Sequence, residues 1–76
     1  MPGATTSIMY FVYVLESLKD NKRYIGFTIN LKKRLEEHNK GLSFATKSRL
    51  PMKLIYFEAC TNKEDAQRRE GYLKTT

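Results

Sequence analysis

The amino-acid sequence predicts one α/β (α+β) domain, ordered strand, strand, helix, strand, helix. Three observations lead there. The chain has 76 residues, enough for one core and one site. Three short runs are rich in β-branched and aromatic residues, and the two segments after the second and third runs each open on a capping residue. A domain this small buries only about 60% of its unfolded surface, so a large partner would lie across it rather than inside it.

Tyr10 to Glu16 (YFVYVLE) is the first expected strand. The polar stretch Ser17 to Lys22 marks a turn around Asp20-Asn21. Arg23 to Thr28 (RYIGFT) is the second strand, and the short link makes the pair an antiparallel hairpin. Tyr13 and Tyr24 then lie on adjacent strands and share a face if the register permits. Asn30 is expected to cap a helix over Leu31–Asn39, with Gly41 ending it. Leu31 and Leu35 form its apolar edge, and Arg34 and His38, four apart, stack beside them.

Leu42 to Lys53 reads as a basic, irregular loop ending near Pro51, and Leu54 to Ala59 (LIYFEA) as the third strand. Thr61 with Glu64 reads as a capping box for a last helix from about Asn62 to Lys74. On that helix Ala66, Glu70 and Leu73 share one face, spaced four and three. That stripe should meet the sheet, so Glu70 needs a cation. The spacing leaves open whether that cation is a basic side chain or a metal.

The composition excludes several classes. No apolar run approaches the roughly 18 residues of a membrane span. Residues 1–8 lack the charged and apolar regions of a signal peptide and are expected to form a flexible tail, with the domain over 9–76 and cytoplasmic residence as the default. The single cysteine, Cys60, rules out an internal disulfide and is expected to be a small buried hydrophobe at a strand end. The net charge is +6, and Lys32 to Lys53 holds seven basic residues against two acidic ones. Such clustering attracts polyanions, although a solvated basic face would read the same way.

Several of these segments together resemble the GIY-YIG nuclease superfamily, in particular its small stand-alone bacterial members. They are VYV at Val12 to Val14, YIGFT at Tyr24 to Thr28, LKKRLEEHNKG at Leu31 to Gly41, RLPMKLIYFEA at Arg49 to Ala59, and KEDAQRREGYLK at Lys63 to Lys74. The resemblance implies a three-stranded antiparallel sheet flanked by helices. It also implies metal-dependent hydrolysis of DNA phosphodiester bonds, in repair, recombination, restriction or intron homing, with one divalent ion, Mg²⁺ or Mn²⁺. Carried over by position, Tyr13 and Tyr24 match the motif tyrosines, Gly26 the glycine of the second motif, Arg34 the catalytic arginine, His38 the position one turn later, and Glu70 the metal-binding glutamate.

Each residue has a role that this chemistry requires. A metal on Glu70 would act as Lewis acid, and Arg34 would clamp nonbridging phosphate oxygens. Tyr13 or Tyr24 would orient and deprotonate the water, with His38 binding substrate or relaying the proton. Gly26 would let DNA approach the sheet, and Lys32, Lys33, Lys47 and Arg49 would contact phosphates. The first motif lacks its glycine, Phe27 stands where some repair members carry lysine, and the family pattern continues past Thr76. The domain is therefore expected to be truncated at its C-terminus. A non-catalytic DNA-binding module and a small RNA-associated domain are the alternative readings.

Overall fold

The structure, a computed structural model, describes residues 8–75. The expected tail lies outside the described residues except for Ile8. The order is β1 (Tyr10–Ser17), β2 (Arg23–Thr28), α1 (Leu31–Asn39), a single 3-10 turn (Lys47–Arg49), β3 (Met52–Cys60) and α2 (Lys63–Lys74). The three strands form one antiparallel sheet in the order β2-β1-β3, as expected.

The central strand is the most apolar, and its alternation decides what lies on each face. Tyr13 and Leu15 point one way and Val12 and Val14 the other, and all four are buried. The register sets Tyr13 opposite Gly26 and Leu15 opposite Tyr24, so both tyrosines share a face. Leu31 and Leu35 of α1 pack there against Tyr13, Leu15 and Met52. On the other face Val12 and Val14 are covered by α2, whose Ala66 is fully buried.

Three details differ from the sequence expectation. Both β1 and β3 run past their apolar cores, because Ser17 pairs with Met52 and Tyr10 with Cys60. The cap of α2 is Asn62, not Thr61: Asn62 has extended backbone, and its side chain accepts the Asp65 N–H at 3.0 Å. Amide oxygens cap as well as hydroxyls, so the cap moves by one residue and leaves Glu64 and Asp65 in the first turn, where the helix dipole favours them. Asn30 caps α1 as expected, and Gly41 leaves it with φ of 78°, a conformation that glycine adopts without strain. Cys60 ends the edge strand β3 and is half-buried rather than buried.

Candidate active site

Tyr13 is the centre of the α1 face. Its ring passes over Gly26 of the neighbouring strand, and a Cβ on Gly26 would land on the ring's Cζ and Oη. The missing side chain thus makes room for Tyr13, and the space first assigned to approaching DNA is already filled. The Tyr13 hydroxyl is hydrogen-bonded to His38 Nε2 at 2.9 Å, and His38 Nδ1 to Thr46 Oγ1 at 2.7 Å. Tyr13, His38 and Thr46 are buried to within 1% of full exclusion from solvent. Tyr24, half-buried, closes the group, its ring 6.4 Å from Tyr13 and 5.2 Å from His38.

Arg34 lies one turn before His38 and joins the same group. Burial pushes the Tyr13 phenol above the usual tyrosine value, and hydrogen bonding from Arg34 pulls it partly back, as does that residue's charge. In return, the Tyr13 phenol is the first cause holding the Arg34 guanidinium in its charged form. Arg34 Nη1 also donates to Glu37 Oε1 at 3.1 Å, so it is oriented from both sides. His38 is pushed below its usual value by burial first and by the Arg34 charge second, against a weaker pull from Glu37, so its imidazole is neutral near pH 7.

Glu70 stands apart from this group. It lies on α2, and its carboxylate is held by Lys74 Nζ at 3.0 Å, one turn along the helix. The basic side chain that spacing allowed as its cation is therefore present. Yet the sheet does not isolate it from the phenols. The helix is tied to β3 by Arg69 and Glu58, while its last turn reaches β2, where Leu73 and Lys74 line a cavity with Arg23, Tyr24 and Ile25. The negative charge of Glu70 is one of those raising the Tyr13 phenol. Its side chain is 23% exposed, and the pair to Lys74 engages Oε2. Among the described residues no three acidic, histidine or cysteine side chains cluster as a metal cage. A lone hard carboxylate suits an ion that keeps most of its water, as Mg²⁺ does.

The basic residues separate into two kinds. Lys32, Lys33 and Lys47 are exposed, with Lys47 lying over the Phe44 ring. Arg49 is instead committed to the hairpin, 3.7 Å from Asp20 and donating to the Arg23 carbonyl at 3.5 Å. His38 is sealed from solvent, so any service it gives passes through Tyr13. Thr46 escaped the sequence reading, because it sits in an irregular loop at no periodic spacing from His38.

The comparisons with known proteins cover the segment that carries these residues. The family model described as the GIY-YIG catalytic domain matches residues 9–76. A UPF0213 protein of Clostridium perfringens is 48% identical over 67 residues, 87% of this chain and 71% of that protein. One from Pediococcus pentosaceus is 47% identical over 66 residues, 86% of this chain and 68% of that one. The solution NMR structure of a UPF0213 protein from Bacillus halodurans superposes with a TM-score of 0.58 at 33% identity, over 91% of this chain and 73% of that one.

Proposed function

Because the chain belongs to the GIY-YIG catalytic-domain family, we propose that it is a metal-dependent endonuclease that hydrolyses DNA phosphodiester bonds, with repair or recombination as its setting. The observation that carries this reading is the meeting of Tyr13, Tyr24, Arg34 and His38 on one face of the sheet. An ordinary strand tyrosine has no need of a buried imidazole and a guanidinium on its phenol.

Arg34 binds a nonbridging phosphate oxygen and offsets the charge that grows there. Tyr13 orients the attacking water through the oxygen supplied with both His38 and Arg34; as the phenolate, its own proton lost to solvent, it takes the water's proton. Tyr24, more open, packs the phosphate against Arg34. Lys32, Lys33 and Lys47 hold the flanking backbone without reading bases. Glu70 would hold the divalent ion, Mg²⁺ or Mn²⁺, which supplies Lewis acidity at the phosphate when bound. The Lys74 ammonium pairs with that carboxylate, and a bound ion would take its place.

The test is incubation of the full chain with nicked, branched, single-stranded and duplex DNA, with and without Mg²⁺ or Mn²⁺. Cleavage that needs the ion and is lost in Arg34→Ala supports the reading. Tight binding with no cleavage under any of these conditions replaces it with a DNA-binding module.

A further inference from the structure

Two short hydrogen bonds link Tyr13, His38 and Thr46, and three hydrogens are available to make them. One polar hydrogen is therefore left over, and where it lies sets the direction of the chain. If Tyr13 donates to His38 and His38 donates to Thr46, the spare hydrogen is on the Thr46 hydroxyl. That hydroxyl is fully buried, and among the described residues its one hydrogen-bond partner is His38. A buried donor with nothing to receive it is disfavoured. In the reverse direction the spare hydrogen is on the Tyr13 hydroxyl, which is also buried but lies beside the half-buried Tyr24, whose phenol oxygen is the neighbouring acceptor.

We propose that Thr46 fixes the tautomer of His38 by donating its hydroxyl to Nδ1, so that Nε2–H is donated to the Tyr13 oxygen. Thr46 is thus a positioning residue that acts through His38. This rests on the nuclease reading for its purpose and on the two hydrogen bonds for its direction. The Tyr13 oxygen then faces two donors, Nε2–H of His38 and the Arg34 guanidinium, which is the arrangement that suits a phenolate. In the opposite direction the Tyr13 hydroxyl would donate to an unprotonated Nε2, and its oxygen would face Arg34 as its one donor. The loop that carries Thr46 continues into exposed Lys47, so one short segment both contacts the polyanion and sets the hydrogen of the imidazole.

His38 is the only histidine in the chain, so its ring nitrogens are assigned without ambiguity. The experiment is long-range proton–nitrogen NMR on the uniformly ¹⁵N-labelled full chain, in the absence of DNA and metal. The expected result is an unprotonated Nδ1 and a protonated Nε2, kept in Thr46→Ser and lost to the other tautomer or a mixture in Thr46→Val. A protonated Nδ1 in the wild type overturns the proposal, and so does a Thr46→Val spectrum with the wild-type tautomer. If Thr46→Val does not fold, the wild-type spectrum alone still decides. The spectrum does not depend on cleavage, so it stands or falls apart from the nuclease reading. In a cleavage assay Thr46→Val should lower kcat by about tenfold with KM unchanged, a fraction of what a positioned acid or base contributes. Thr46→Ser should restore kcat, and a change in KM alone would count against the proposal.

Discussion

The two helices hold their polar residues in opposite ways. On α1, His38 is held between Tyr13 of the sheet and Thr46 of the following loop, and Arg34 between Tyr13 and Glu37 one turn along. On α2, Glu70 has only Lys74, which is 54% exposed and close in sequence. On the proposed reading, the α1 half of the site is set by buried hydrogen bonds and the α2 half would exchange its cation. A solvated ion pair at this spacing is worth only tenths of a kcal/mol, so releasing Lys74 costs little. The contrast suits a site that pre-organises its phenol and recruits its metal.

That contrast can be broken on the α1 side first. Arg34→Ala should reduce kcat by about 100- to 1,000-fold in the DNA cleavage assay, with the circular dichroism of the fold retained. Gly26→Ala should destabilise the domain by about 1–3 kcal/mol in urea unfolding, because the added methyl meets the Tyr13 ring, which burial and the bond to His38 hold in place. An unchanged unfolding midpoint would show that the ring is not held there.

Acid should weaken the same side selectively. The folded imidazole of His38 is held below the ordinary value of 6.5 by burial and by Arg34, with Glu37 opposing and Tyr13, Tyr24 and Thr46 also facing it. Above pH 6.5 neither state is protonated, and the contribution to stability is complete. As pH falls below 6.5 the unfolded chain takes up a proton that the folded chain resists, so stability drops through that window. The urea midpoint should therefore be lower at pH 5.5 than at pH 7.5 in the wild type, with the difference reduced in His38→Gln.

The α2 side should give the smallest change. Lys74→Met should alter stability by no more than about 0.5 kcal/mol. It should still lower the Mn²⁺ concentration needed for half-maximal cleavage, since the ion no longer displaces an ammonium. A raised requirement would show that Lys74 assists the site instead of occupying it.

The sequence carried the strand order, both helices and the tyrosine pair, because those follow from local periodicity and from a register that one hairpin turn sets. It placed Arg34 and His38 on one face for the same reason. It did not carry the burial of His38, which depends on Thr46 folding back from a loop, nor the withdrawal of Arg49 into an ion pair with Asp20. Both are long-range contacts with no periodic signal. The role of Gly26 was misread because a glycine in a strand is an absence, and its meaning depends on which side chain across the ladder fills the space.

That last pairing has an evolutionary consequence. Since the phenol of one strand occupies the room vacated by its cross-strand neighbour, the two positions behave as a single heritable unit. Substitutions at one should be tolerated only alongside compensating change at the other.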